Sequence, residues 1–477
     1  MVLKQMVDVS FDGLNLSKIA AKYSSEKRKP IPFDFKAASR RMLPAEKGYI
    51  TEAHYIHYYP GRIFPYIPFF MLSLSDFQGL NGPVLDPFAG SGTILLESVS
   101  NPFSKRTAIG VEKNPVGRLM SKVKSKPLDE QEIDGLLYAI CLRYKCAKKV
   151  TSEIDEFTNR SLWFSDNAFN RLSRLKYAIR TVDSNQDYKD FFWLCYSSIV
   201  RKVSKANPYI PPPVVLKPDK YKESEKRYKK LKDIMAEAKD PNILARFMEA
   251  VVKNKKKLAV LNNNVELKNG EVYSEIIWDD ARHIKNGKLL ECGRMETESA
   301  KTMEQNSVAL VFTSPPYITA QKYIRTNRLE LFCLGYSISD VASLEKGSIG
   351  TECVSVNIKI SPLDVCTIDE EITQIEKSSR ERAAQVFKYF KDMLESLEEI
   401  KRVLRKNSFA IIVLGDNRVL NKKVETYRLL ADAANKIGFE EIVVLKDTIR
   451  SRSMLTKRNG TGGIIKDEFA IILKKVG

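Results

Sequence analysis

The chain has 477 residues, enough for two or three domains or for one large enzyme domain with insertions, and its 43% hydrophobic content is that of a globular protein. Lys and Arg number 78 against 59 Asp and Glu, and the resulting charge of +19 favours a polyanionic partner, because each phosphate neutralised by a cation releases counterions. Seven cysteines without a C-x-x-C pair, and only His54, His57 and His283 beside them, argue against a metal site and fit a reducing interior.

In chain order, the N-terminal MVLKQMVDVSFDG lacks the apolar core of a signal peptide, and residues 1–50 are mixed and charged, without an assignable pattern. No run approaches the ~18 apolar residues of a membrane span, since the richest, Ile63–Leu74, is broken by Pro65 and Pro68; a soluble, cytoplasmic protein is expected. HYIHYYPGRIFPYIPFF (His54–Phe70) is aromatic and proline-rich: its prolines rule out a long regular helix, and its rings suit either a wall around something flat or a simple packing segment. A strand at Val84–Leu85, a loop Asp86–Gly92, a helix from Thr93 through Glu97 and a strand at Ala108–Glu112 make a βαβ-like unit.

After about Leu128 the character becomes amphipathic and helical, with Leu172, Leu175 and Ile179 at i, i+3, i+7 and Phe192, Cys195 and Ile199 repeating the spacing. NPYIPPPVVLKP (Asn207–Pro218) ends this block; a charged helix over Glu223–Lys239 and another from about Pro241 follow. Residues 201–260 hold 17 Lys and Arg against 7 Asp and Glu. A solvated helical face normally mixes signs, so this lopsided one is expected to meet DNA. Alternation resumes near Val272, with strands at Val308–Phe312, Ser408–Leu414, Glu441–Leu445 and Phe469–Leu473. Helices are expected over Phe387–Leu404 and over Tyr427–Ile437, the latter stopped by Gly438. TIRSRSMLTKRNGTGG is a basic, Gly-rich loop between the last two strands.

Two strings carry the chemistry. In DPFAGSGT (Asp86–Thr93) the glycines permit a tight turn and close ligand approach. A dinucleotide fingerprint would need a third glycine where Leu95 stands, and a phosphate-binding P-loop would need a lysine after Gly92. S-adenosyl-L-methionine (AdoMet) has no phosphate but carries an ammonium, a sulfonium and a ribose diol, all suited to acidic partners. Asp86 can face the ammonium and Glu112, in GVEKNP, the ribose.

TSPPY (Thr313–Tyr317) answers the poor nucleophilicity of an aryl amine. The Ser314 hydroxyl and Pro315 carbonyl can accept its hydrogens and favour a pyramidal nitrogen, where charge develops in the transition state. Pro315 and Pro316 stiffen the loop, and Tyr317 offers a stacking face worth roughly 1–3 kcal/mol per base, against the few kcal/mol of unstacking. The plainer alternative is a tight β-turn with a buried tyrosine. Methylation of cytosine C5 would need a Pro-Cys nucleophile, which does not occur; Cys333 and Cys353 are read as packing residues.

With these motifs the chain resembles the DNA amino-methyltransferases, the N4-cytosine/N6-adenine family typical of restriction–modification systems, over about residues 57–115 and 272–474. The resemblance implies an α/β, Rossmann-like AdoMet-dependent methyltransferase fold, with a seven-stranded, mostly parallel sheet and a helical insertion. It implies AdoMet contacts from Tyr59 and Pro60 in HYYPGR, from Asp86, Pro87, Phe88, Ala89, Gly90, Ser91, Gly92 and Thr93, from Glu112 and Lys113, from Asp280 and Ala281 in DDAR, and from Thr313. Ser314, Pro315, Pro316 and Tyr317 are then catalytic. Serine in that loop is the form more often associated with cytosine N4, with adenine N6 open. A structural-RNA methyltransferase and an inactive DNA-binding module of the same fold are further alternatives.

About 220 residues separate Thr93 from Thr313, too many for a minimal domain. The expected layout is an N-terminal segment 1–50, an AdoMet-binding half 51–120, a basic helical insertion 121–265 for target recognition, and a catalytic half 266–477. Lys253, Lys255, Lys256 and Lys257, with Arg450, Arg452, Lys457 and Arg458 of the basic loop, are the expected contacts to double-stranded DNA. Ala320–Gly350 is expected to help. The family further implies base flipping, a cognate restriction endonuclease as partner, a prokaryotic cytoplasm, and no membrane or metal.

Overall fold

A computed structural model describes residues 16–25, 28–42, 52–150, 153–220, 222, 225–289, 295–318, 322–420, 422–449 and 465–476. The strands in chain order are β1 (Ile31–Pro32), β2 (Val84–Asp86), β3 (Ala108–Val111), β4 (Ser274–Trp278), β5 (Lys285–Leu289), β6 (Met295–Thr302), β7 (Val308–Thr313), β8 (Leu404–Gly415), β9 (Asn417–Val419), β10 (Lys422–Val424), β11 (Phe439–Thr448) and β12 (Asp467–Lys475). Eight of them form one sheet in the order β1-β11-β12-β8-β7-β2-β3-β4. Only β12 runs antiparallel to its neighbours; every other pairing in the sheet is parallel.

The expected seven strands are β2 to β4, β7, β8, β11 and β12. The eighth, β1, is a two-residue edge pairing (Ile31 beside Leu445, Pro32 beside Lys446) and is too short to leave a periodic signal. Pro32 is tolerated because an edge residue need not donate to the ladder. Residues 1–50, unassigned from sequence, also supply the Leu16–Ser25 and Phe35–Arg41 helices, which bury Leu16, Ile19, Tyr23 and Phe35 in the main core. All six residues of β7 and all three of β2 are buried, the uninterrupted apolar run of a parallel strand covered on both faces.

Between β3 and β4 the chain is helical, its longer helices being Pro115–Lys124, Glu130–Cys146, Asp166–Thr181, Gln186–Val200, Lys226–Glu237 and Ile243–Leu258. Asn114, Asp129, Ser165 and Asn185 each cap the following helix through a side-chain oxygen. Leu172, Leu175, Ile179, Phe192, Cys195 and Ile199 are fully buried, as their spacing predicts, in a second hydrophobic cluster. The charged helix is shorter than expected and buries only Leu231. The next starts after Asn242, not in a turn containing Pro241, because the Asn242 side chain accepts from the Ala245 amide and takes the cap. Among the described residues no helix is long and apolar enough to cross a membrane.

Candidate active site

β2 and β7 are parallel neighbours, with Val84 beside Leu310 and Leu85 beside Val311, so their C-terminal ends deliver both motif loops to the same edge of the sheet. The Thr313 hydroxyl donates to Asp86 Oδ1 at 2.6 Å, joining residues 227 positions apart. The Phe88 amide donates to the same oxygen at 3.1 Å. Asp86 is 1% exposed; burial pushes its carboxyl up to about 7, against the pull of those two hydrogen bonds, and the nearby Glu112 charge adds to the rise.

The first loop is held from the next strand. β3 ends at Val111, and Glu112, expected as its last residue, opens the following turn. Glu112 Oε2 accepts the Gly90 amide at 2.6 Å and Oε1 accepts the Asn114 amide at 2.8 Å, with the Tyr59 hydroxyl at 3.4 Å. Burial raises its pKa, and these donors with Arg118 oppose the rise. Gly92 caps the Thr93–Ser100 helix in the left-handed region, φ 72°, and a Cβ there would stand 2.6 Å from Ser121 Cα. Only glycine fits.

A cavity open to solvent lies where the loops meet. Of the residues expected at the cofactor, Tyr59, Asp86, Pro87, Phe88, Ala89, Gly90, Ser91, Thr93, Glu112, Lys113, Asp280 and Ala281 line it, and Ser314 and Pro316 join them from the catalytic loop. Pro60, Gly92, Thr313, Pro315 and Tyr317 are outside the lining. Gly92 and Thr313 act through the cap and the Asp86 hydrogen bond. Tyr317 is half-buried and packs against the main core. Burial first, then the charge of Glu468, hold its phenol well above the usual tyrosine range, so it stays protonated.

Arg62, Asn114 and Asp279, which sit in the motif strings HYYPGR, GVEKNP and DDAR without an expected contact, also line the cavity, and Tyr323 and the stretch Gly347–Ile349 do so with no sequence signal. The Tyr59 and Tyr323 rings lie 5.8 Å apart. Burial would raise the Asp280 pKa, but Arg282, bonded to both its oxygens at 2.9 and 2.6 Å, holds it below the ordinary carboxylate value. Arg282 also reaches Asp392 at 3.0 Å, and Lys113 reaches Asp279 at 3.2 Å.

The expected DNA contacts divide. Lys253 and Lys256 are exposed, Lys255 is paired with Asp134 at 2.7 Å, and the Lys257 ammonium donates to the Tyr55 carbonyl. On a helix turning ~100° per residue, Lys253, Lys256 and Lys257 share one face and Lys255 the other. Arg450, Arg452, Lys457 and Arg458 lie outside the described residues. Cys333 is fully buried, as read, but Cys353 is exposed and does not pack. His54 is buried against Glu97 at 2.6 Å, and among the described residues no group of three or more His, Cys, Asp or Glu is placed to hold a metal.

A mostly parallel sheet with one antiparallel strand, a glycine-rich loop after a central strand and an acid after the next define the Rossmann-like methyltransferase fold. The chain is 22% identical over 430 residues to the type II methyltransferase M.MvaI of Kocuria varians, a match spanning 86% of this chain and 87% of that one. The likeness read from the motifs is thus accompanied by similarity to a type II methyltransferase along most of both chains. No family model matches the chain. Among solved structures, a Thermus thermophilus protein assigned as a DNA modification methylase, complexed with S-adenosyl-L-methionine, shares 16% identity over 37% of this chain, with a TM-score of 0.19. Its selenomethionine derivative shares 15%, with a TM-score of 0.18. The chain spans about half the length of these structures, 50% and 49%.

Proposed function

We propose that this protein is an AdoMet-dependent DNA methyltransferase that modifies the N4 amine of cytosine in duplex DNA after flipping the base. The observation that carries the reading is the cavity shared by the Asp86–Thr93 loop, Glu112 and Ser314, tied together by the Thr313–Asp86 hydrogen bond.

The lining suits AdoMet. Acidic Asp86, Glu112 and Asp280 match a cationic, diol-bearing ligand better than an anionic one, and Tyr59 and Tyr323 add flat apolar surface. In this reading Asp86 faces the ammonium, Glu112 the ribose, and Asp280 the adenine amine. When bound, AdoMet supplies an electrophilic methyl on sulfur. The chain's own part is to hold the target amine: Ser314 Oγ and the Pro315 carbonyl accept its hydrogens and leave the lone pair free to attack. Pro316 limits loop motion and Tyr317 is assigned the stacking of the extruded base. Ser314, the form of this loop more often associated with cytosine N4, supports that amine over adenine N6. Target recognition is assigned to the helical insertion, residues 121–265, and a restriction endonuclease reading the same unmodified sequence is the partner implied.

The test is product identification. The protein is incubated with AdoMet and unmodified DNA or RNA, the product digested to nucleosides and read by mass spectrometry; N4-methyldeoxycytidine is expected. N6-methyldeoxyadenosine would move the reading to adenine, N4-methylcytidine would move it to RNA, and failure to bind AdoMet by calorimetry would leave an inactive binding module.

A further inference from the structure

We infer that Tyr55, Tyr58, Lys202, Lys253 and Lys257 form a rim beside the cavity that grips the DNA strand flanking the extruded nucleotide, a surface that rests on the methyltransferase reading above. In the segment Glu52–Pro60 every third residue, Glu52, Tyr55 and Tyr58, is exposed. Ala53, His54, Ile56, His57 and Tyr59 are buried and Tyr59 lines the cavity, while Tyr55 and Tyr58 are 48% and 49% exposed. Wall and rim are therefore adjacent residues of one strand of chain. Arg62 links them, lining the cavity while its guanidinium sits 4.8 Å over the Tyr55 ring.

Onto this segment the insertion brings cations from one helix and from the turn that follows another. Lys257 bonds the Tyr55 carbonyl, and Lys253 lies one turn earlier on the same face. Lys202 follows the Gln186–Val200 helix. These ammonium groups feel one another: burial first and then Lys253 lower the pKa of both Lys202 and Lys257, with Glu249 and Glu52 as the opposing carboxylates. On the other side of the same helix Lys255 is neutralised by Asp134. Like charges held together are relieved by a polyanion, and half-exposed aromatic rings set among them are the recurring surface for nucleic-acid strands, where rings meet bases and cations meet phosphates.

The test is a salt titration of binding to a mixed-sequence DNA duplex, read by fluorescence anisotropy on the full chain. Three proteins are compared: wild type, the triple variant Lys202→Gln/Lys253→Gln/Lys257→Gln and the double variant Tyr55→Ala/Tyr58→Ala, each with AdoMet binding measured by calorimetry. A slope of log K against log salt shallower by about 2–3 in the triple variant is expected, at ~0.9 per lost phosphate contact. The double variant is expected to bind at least about 30-fold more weakly, at roughly 1–3 kcal/mol for each ring lost. AdoMet binding should hold within about twofold. Lys253→Gln alone, at an exposed position, should lose about 0.9 of slope without risk to folding. Unchanged slopes in both lysine variants, with AdoMet binding intact, overturn the inference. A wild type that binds AdoMet but neither binds nor methylates DNA instead overturns the methyltransferase reading on which it rests.

Discussion

Replacing Asp86 with asparagine should raise the heat stability of the ligand-free protein at alkaline pH while weakening AdoMet binding. Burial raises this carboxyl from 3.8 to about 7. A folded pKa above the unfolded value means that the native state binds more protons, so the stabilising contribution is complete below about pH 4 and is lost as pH rises through about 7. Three units at ~1.4 kcal/mol each set ~4 kcal/mol as the upper cost of holding the ionised group above pH 7. Asparagine keeps an acceptor for the Thr313 hydroxyl and the Phe88 amide, which bond Oδ1. Its NH2 group gives back about 1–2 kcal/mol if unpartnered, leaving a net gain of ~2–3 kcal/mol. Thermal melts at pH 5.5, 7 and 8.5 should show the variant's advantage opening between pH 4 and 7 and flat above. Adding AdoMet at a hundred times its wild-type Kd should stabilise wild type by ~2.7 kcal/mol and the variant far less, since a charge-assisted contact is worth about 1.5–3 kcal/mol. A variant less stable than wild type at pH 8.5, or an advantage independent of pH, would refute the reasoning.

The same carboxyl gives a second expectation: AdoMet binding near pH 6.5 should release a proton, seen as buffer-dependent heat in calorimetry, and affinity should fall as pH drops below about 7 because Asp86 must then be deprotonated to pair. Ser314→Ala should lower kcat by roughly 10²–10³ as for a lost transition-state partner, with AdoMet affinity changed only a few-fold; single-turnover methylation separates the two. Gly92→Ala should cost at least ~1–3 kcal/mol from its φ of 72° and the 2.6 Å approach to Ser121, lowering the melting temperature and AdoMet affinity together. Tyr317→Phe should capture the base almost normally and Tyr317→Ala roughly 5–150-fold more weakly, followed by 2-aminopurine fluorescence at the target position.

The parts of the site legible in the sequence are those where backbone chemistry is unusual. Gly90, Gly92 and the two prolines of TSPPY stand out because strands and helices exclude them, and Asp86 and Glu112 because they end apolar runs. Tyr323 is invisible for the opposite reason: it sits in ordinary sequence and reaches the cavity only through tertiary packing. Asp279 and Asp280 are neighbours of one type, and only their different partners, Lys113 and Arg282, tell them apart. The lysine run is visible as charge, but its division between Asp134 on one side and Tyr55 on the other depends on what packs against the helix. β1 escapes notice because two residues have no period.

The position of β7 at the centre of the sheet also dictates an order of assembly. β2 and β3 emerge from the ribosome early, but the strand that must lie beside β2 follows more than two hundred residues later. Closing so long a loop is slow, and until it closes one side of β2 offers unpaired backbone to any passing strand. The intervening helices pack around an apolar cluster that also takes in Leu95, Leu96 and Val99 of the helix after β2. Those helices therefore give the half-made protein something to pack against while it waits, and apolar-to-polar changes at Leu172 or Phe192 should appear first as aggregation during synthesis.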